Sequence, residues 1–476
     1  VKFENLSPKV ASFSDGVLCY QLSNNGEKLL LAKKGKDGVD LFVVKAGEKA
    51  DKDLSKAQVN SKDWQMAFSP SDEWQQMFQD AWLMHREFLF DQNMRGLDWP
   101  ATKAKYQPLV DRVTSRDELN DIFMQMMGEL NALHSQVRGG DVPVKADMAK
   151  PSTLGALYEN VKQGVRISKV YLANKELPSQ LGPLEKAGVD LKVGDVITAI
   201  NGKPIKSIVD LHKALRNQAG KQVLIATLRD NKAMQNIVVP SSSRSESSLR
   251  YMNWVNENQN KVAKSSDKNI GYIHMNAMTA NDINAFARDF YANYQKDGLI
   301  IDVRRNRGGN IDSWIIEKLL RKVWMYWQER DVAASGNMQQ TFNGHLVVLT
   351  DELTYSDGET FSAGIKSLGL APLIGKQTTG AGVWLTGRNS LTDKGMARVA
   401  EFPYYDLQGN WVVEGTGVSP DIEVDNLPYA TFMGEDAQLD AGINYLLDKL
   451  KAQPIEKFNA KPMATSGPAN DVTKIQ

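Results

Sequence analysis

The chain has 476 residues, more than one hydrophobic core usually serves, so about three domains are expected. Lys plus Arg equals Asp plus Glu at 57 each, which gives no basic surplus to suggest nucleic acid and no acidic tail. With 42% hydrophobic and 24% charged residues the composition is that of soluble globular protein, and no run approaches the roughly 18 consecutive apolar residues of a membrane span.

Residue 1 is Val, and VKFENLSPKV lacks the apolar run of a secretory signal, so a processed form or a piece of something longer is expected. Cys19 stands alone, which excludes an internal disulfide. It reads as a small core residue and is compatible with cytosol or periplasm. No CxxC pair, HExxH or Walker-type glycine loop is present, so neither a metal nor another cofactor is expected.

Residues 1–65 read as strands. VLCYQLS, LLLAKK and VDLFVVKAG are separated by the turns NNGEK and GKDG, whose Asn-Gly and Asp-Gly pairs are strong hairpin signals. So few strands cannot bury a core alone. Either they pack on the remainder or they are the last blade of a propeller whose other blades lie outside this sequence.

Over 66–148 the period becomes helical. EWQQMFQDAWLMHREFLF spaces Trp74, Met77, Phe78, Trp82 and Phe88 at helical intervals. YQPLVDRV and SRDELNDIFMQMMGELNAL follow the Trp99-Pro100 break, the second opened by a capping box at Ser115 and Glu118. His134 is expected at the end of this helix, followed by Ser135.

Residues 152–240 form a separate unit in which Gly194-Asp195 precedes the alternating VITAI and Asn201-Gly202 closes a turn. The unit is similar to a bacterial PDZ domain, most strongly over 184–205. The resemblance implies that a peptide end binds beside Leu154-Gly155-Ala156 and adds a strand to the sheet. The alternative is a covered or purely structural groove. SSSRSESS at 241–248 reads as a polar linker.

From 245 to 455 strands alternate with helices: IGYIHM, LIIDVR, LVVLT and PLIGK are separated by helical stretches. This implies crossovers and a mostly parallel sheet, with sites beyond the carboxyl ends of the strands. RRNRGGN and Ser356 fall at two such ends. The tail 456–476 has weak periodicity and is expected to wander on the surface.

Ser356 lies where the strand LVVL turns into a helix, beside unpaired N–H groups and the positive end of the helix dipole. It reads either as a nucleophile or simply as an N-cap. Gly308-Gly309 follows a buried strand and offers N–H groups close to a ligand, or only makes a tight turn. His134 and Glu414, alone, read as a structural histidine and a surface carboxylate.

Together GELNALH, DVRRNRGG, YSDGE and VEGTGVSPDIEV, in that order, resemble the catalytic half of a tricorn protease from about Trp74 to Leu447. That family is related to carboxyl-terminal processing serine peptidases. The fold implied is multi-domain α/β, with a crotonase/ClpP-like parallel-sheet core, a helical subdomain, a PDZ-like β domain and an N-terminal β-strand segment. The resemblance makes Ser356 the nucleophile and His134 the general base. Glu414 orients the imidazole through an intermediary, and the N–H groups of Gly308 and Asp357 form the oxyanion hole. It departs at Leu133, where tricorn proteases have a serine linking histidine to glutamate. The lysine of the sister family is replaced by Ala381 in the turn Gly380-Ala381-Gly382, so His134 is the expected base.

Tricorn proteases favour basic residues through an acidic group after the oxyanion turn, contributed across a subunit contact. The matching window KVWMYWQERD is aromatic. Trp324 and Tyr326 are expected either to line an apolar substrate pocket or to lie on a buried helix face or subunit contact, with Glu329 and Asp331 keeping a basic preference open. Arg304, Arg305 and Arg307 are expected in solvent, the alternative being that one of them binds a substrate carboxylate. The implied function is a serine peptidase acting on peptides or unfolded polypeptides, as a homo-oligomer (hexameric in that family), without nucleic acid or membrane partners. Two alternatives are a degenerate peptide-binding scaffold that uses the PDZ-like domain and an acyl-CoA enzyme of crotonase type.

Overall fold

The computed structural model describes residues 12–36, 38–61, 65–142, 148–456, 458, 460 and 461, and the backbone of 2–4 and 7–9. The tail expectation over 456–476 therefore falls mostly outside the described residues. The chain divides into two compact units, Val1–Glu73 and Trp74–Gln476.

In the first unit Val17–Leu22, Lys28–Lys34 and Val39–Lys45 form an antiparallel three-stranded sheet in chain order. Leu31, Ala32 and Val44 are buried, whereas Leu18, Tyr20 and Leu22 are exposed. Cys19 is exposed too, which corrects its reading as a core residue. It lies on an edge strand left open on both faces.

The helices Pro70–Phe88, Trp99–Val110 and Arg116–Gly128 form the helical part, which from Trp74 on belongs to the second unit. Met77, Phe78, Trp82, Trp99 and Phe123 share one core, while Phe88 is exposed. The cap at Ser115 is shifted: its hydroxyl accepts from the Glu118 N–H, but the Glu118 carboxylate reaches the Thr114 N–H at 2.7 Å. The last helix ends at Gly128, six residues before His134, because Asn131 turns the chain with φ +48°. His134 thus sits in a turn that enters the strand Gln136–Arg138, not on the helix as expected.

The PDZ-like part is an antiparallel sheet in the order Lys232–Val238, Val223–Arg229, Val196–Ile200, Gly164–Val170, Ala156–Val161. Asn201 and Gly202, at φ +48° and +76°, make the turn that the Asn-Gly pair announces. The presumed linker after it is instead the start of a 23-residue helix, Ser243–Ser265. Ser242 caps that helix, and Glu246 pairs with Arg250 one turn on.

The α/β core is a five-stranded, wholly parallel sheet: Ile270–His274, Gly298–Asp302, His345–Thr350, Leu373–Gly375, Ile422–Glu423. Alternate strand residues serve opposite faces. Ile300, Val347 and Leu349 meet Leu439, Ile443 and Leu446 of the helix Ala437–Ala452. Leu299, Ile301 and Val348 meet Phe286, Phe290, Ile315, Phe361 and Ile365 on the other side. Arg304, expected in solvent, is buried: it pairs with Asp302 and Asp436, both at 2.7 Å, and fastens the last helix to the sheet.

Candidate active site

Ser356 sits at φ +55°, ψ −119°, a conformation costing a residue with Cβ on the order of 1–3 kcal/mol. The helix Asp357–Ser367 begins beside it. The Ser356 hydroxyl makes no capping bond, and the Glu359 N–H donates to the Ser356 carbonyl instead. The cap runs the other way, from the Ser356 N–H to the Glu359 carboxylate at 3.0 Å. A plain N-cap would spend the hydroxyl, whereas here it is left facing a cavity of about 800 Å³.

Gly308 and Gly309 close the other side of that cavity. A Cβ on Gly308 would lie 2.5 Å from the Cβ of Ser356, and one on Gly309 would lie 1.8 Å from the Met278 carbonyl oxygen. Both glycines are therefore required by close approach, at φ +76° and +157°. Asn306 shapes this turn. Its Oδ1 accepts the Gly308 N–H at 2.8 Å, its Nδ2 donates to Met275 O, and its own carbonyl accepts the Tyr355 N–H. The Gly308 N–H is thus engaged rather than unpaired, while that of Asp357 has no partner among the described residues. The Asp357 carboxyl accepts the N–H groups of Ile311 and Asp312, so the nucleophile turn and the glycine turn are tied together. Burial, then the charge of Asp312, pushes its pKa up to about 7.

His134 is buried and lines the same cavity, its ring 4.9 Å from that of Tyr355. Burial holds its pKa down at about 4; the Val383 backbone works against this and the charge of Arg398 adds to it. The imidazole is therefore neutral at pH 7, the state a proton acceptor needs. No hydrogen bond joins it to Ser356, and its Nδ1 has no partner among the described residues. Glu414 reaches the same neighbourhood by another route. Its Oε2 accepts the N–H groups of Gly382 at 2.8 Å and Val383 at 2.9 Å. The peptide segment 382–383 thus lies between glutamate and histidine. Leu133 is exposed, and the Ser135 hydroxyl accepts the Ala400 N–H, so neither links the two.

Other expected site residues lie elsewhere. Trp324 and Tyr326 belong to an exposed hairpin, Met325–Trp327 with Ser335–Asn337, and do not line the cavity. The window is neither a buried helix face nor the pocket wall, because short strands put its aromatic side chains outward. Leu154 is a core residue of the PDZ-like sheet, and Gly155 packs against Leu249 of the helix Ser243–Ser265. The loop expected to hold a peptide end is covered at that point.

Sequence reasoning missed Glu359, Trp384 and Leu385. Glu359 is buried and binds Ser356, Thr378, Gly380 and Ala381. Its signal was legible as the fourth residue of Ser-Asp-Gly-Glu, a capping-box spacing. Trp384 and Leu385 supply an apolar wall to the cavity, and no local pattern marks them. Among the described residues no group of three or more His, Cys, Asp or Glu is placed to hold a metal ion, and no helix is long and apolar enough to cross a membrane.

Three family models match: the tricorn protease C1 domain over 70–128, the tricorn protease PDZ domain over 153–242, and peptidase family S41 over 269–424. The chain is 30% identical over 441 residues to tricorn protease homolog 1 of Streptomyces coelicolor, covering 91% of this chain and 41% of that protein. It is 30% identical over 452 residues to a tricorn protease homolog of Saccharolobus solfataricus, covering 92% and 40%. A crystal structure of the tricorn protease superposes with a TM-score of 0.84 at 26% identity, covering 93% of this chain and 42% of that one. The chain thus spans about two fifths of the length of these relatives.

Proposed function

The chain belongs to the tricorn protease family, and we propose that it is a serine peptidase hydrolysing peptide bonds in peptides or unfolded polypeptides. The observation that carries this reading is the free Ser356 hydroxyl, held in a strained turn in one cavity with a neutral His134. Ser356 Oγ attacks the scissile carbonyl as His134 takes its proton. The developing oxyanion is met by the Asp357 N–H and by the Gly308 N–H, which it would share with Asn306 Oδ1. Losing one such donor costs on the order of 100-fold or more in rate. His134 then returns the proton to the leaving amine, and water repeats the cycle on the acyl-enzyme. Glu414 acts at a distance, fixing the 382–383 segment against which the imidazole rests.

On the same reading residues 1–65 are the end of a propeller, 66–148 and 245–455 build the peptidase, and 152–240 is an accessory domain. The open edge Ala156–Val161 of that domain, not the covered Leu154-Gly155 loop, is where a strand could add. The exposed aromatic hairpin suits a contact between copies of the chain in a homo-oligomer. Leu133 favours a second reading, a peptide-binding scaffold that does not cleave. Mass spectrometry of a mixed peptide pool separates the two. Wild type should release fragments that Ser356→Ala does not; identical digests, or none, would end the peptidase reading.

A further inference from the structure

A second pocket, of about 570 Å³, shares no lining residue with the cavity of Ser356. One wall is the helix Ser243–Ser265, another the helix Ala280–Asn293, and a third comes from residues 174–181 of the PDZ-like part. Its floor is His274, Met275 and Asn276, where the edge strand of the parallel sheet runs out. That floor is bonded residue by residue to the glycine turn. His274 Nε2 donates to Arg304 O at 3.0 Å, Met275 O accepts Asn306 Nδ2 at 2.7 Å, and Asn276 O accepts the Arg307 N–H at 3.1 Å. Asn306 in turn holds the Gly308 N–H, one of the two proposed oxyanion donors. Whatever pulls on residues 274–276 therefore reaches the oxyanion hole through one side chain.

The charges of the lining balance and are already engaged. Arg288 pairs with Asp289 at 2.8 Å, Asp282 accepts the Thr279 N–H, and the exposed Lys186 donates to the Pro178 carbonyl. Because its Nε2 donates to a carbonyl, His274 accepts at Nδ1 from the Tyr251 hydroxyl at 3.0 Å, and burial lowers its pKa and keeps it neutral. What the lining leaves unspent is uncharged. The side chains of Gln180, Ser248, Gln259 and Asn276 have no hydrogen-bond partner among the described residues. Between them stand Leu177, Leu181, Met252 and Val255. A phosphate or carboxylate would ask for an unspent cation. A purely apolar molecule would desolvate the amides without pairing them. A peptide main chain offers N–H and C=O groups in turn beside apolar side chains, and so answers both. The volume lies within the range of about 300–1,000 Å³ usual for ligand clefts.

Resting on the peptidase reading, we propose that this pocket is an effector site for an uncharged stretch of peptide, whose occupancy tunes the oxyanion hole. In the arrangement described the Gly308 N–H is spent on Asn306 Oδ1. A peptide bonded to the Asn276 amide draws residues 275–276 toward the pocket and slackens the hold of Met275 O on Asn306. The Gly308 N–H is then released to the oxyanion, so occupancy raises kcat. The effector peptide is distinct from the one being cut, since the two cavities are lined by different residues.

The site is tested by photo-crosslinking. The probe acetyl-Ala-Ser-Bpa-Gly-Ala amide, in which Bpa is p-benzoylphenylalanine, is irradiated with Ser356→Ala and the adduct mapped by mass spectrometry. The adduct should sit on Met252 or Met275, which line the pocket. Ser248→Trp fills the pocket from an exposed position, so its fold is not at risk, and it should abolish that adduct. Adducts confined to the walls of the Ser356 cavity, no adduct, or labelling that survives Ser248→Trp would overturn the site. The coupling is read on wild type at saturating reporter peptide, where competition for the active site does not register. Acetyl-Ala-Ser-Leu-Gly-Ala amide should raise kcat about fivefold or more, and Ser248→Trp should keep the basal kcat and lose the rise. An unchanged or lower kcat would overturn the coupling. Crosslinking needs no cleavage. A wild type that hydrolyses nothing would sink the peptidase reading and the tuning with it, while the adducts still decide the site.

Discussion

Replacing Glu359 by Gln strikes the side chain that ties the nucleophile turn to the segment 378–381. Its Oε2 accepts the N–H groups of Ser356 at 3.0 Å and Ala381 at 2.8 Å; its Oε1 accepts the Thr378 hydroxyl and the Gly380 N–H, both at 2.6 Å. A Gln amide keeps one acceptor oxygen and must turn its NH2 toward the other pair. The cheaper orientation faces Thr378, whose hydroxyl can rotate to accept, and leaves the Gly380 N–H against a donor. One buried unsatisfied N–H costs about 1–3 kcal/mol, and two charge-assisted bonds become neutral ones at roughly 1 kcal/mol each. Relief of burying a carboxylate offsets part of this, since burial raises its pKa despite four donors. A net loss of about 2–4 kcal/mol is expected in urea unfolding at pH 7, together with about a 100-fold drop in kcat/KM as the nucleophile turn shifts. A variant within about 0.5 kcal/mol of wild type and with unchanged kcat/KM would refute the view that Glu359 holds the site together.

Activity should persist on acidification well below the ordinary histidine range. His134 stays neutral until about pH 4, so the acid limb of kcat/KM is expected near there, and an inflection at 6.5 would place the base elsewhere. The same depressed pKa contributes stability that is present above 6.5 and lost as pH falls through about 4. Asp357 acts with the opposite sign: its raised pKa contributes stability that is full below 3.8 and lost as pH rises through about 7. Asp357→Asn should flatten unfolding free energy between pH 5 and 8, and an unchanged slope would argue against the shift. Arg116→Met strands the buried Asp393, paired at 2.6 Å, and should cost about 3–5 kcal/mol, seen as a lower urea midpoint. Gly309→Ala drives a Cβ into the Met278 carbonyl and should abolish activity while leaving the PDZ-like part folded, read by peptidase assay and circular dichroism.

The parallel core was legible because its strands are short apolar runs spaced by amphipathic helices, and crossovers then leave little choice of topology. Ser356 and the glycine turn were legible because strand-end turns put chemistry into local sequence. His134 was found through an ordered resemblance, but its placement on a helix was wrong, since Asn131 can reverse a chain without a glycine to announce it. The wall of the cavity was not legible. Arg138 and Arg398 come from short strands paired across more than 250 positions, and Trp384 from a two-residue strand, so no local period marks them. The aromatic window 324–327 misled for the opposite reason: its composition suggests a pocket, but its backbone faces outward. Arg304 and Arg307, three apart, look alike in sequence and differ only in whether a carboxylate waits for them.

The central claim is that one hydroxyl, that of Ser356, is made nucleophilic by His134. Incubation with a fluorophosphonate followed by peptide mapping reads this directly. The adduct should sit on Ser356 and disappear in His134→Ala. Cleavage of peptides by a protein that carries no adduct there, or labelling that survives loss of the imidazole, would contradict it.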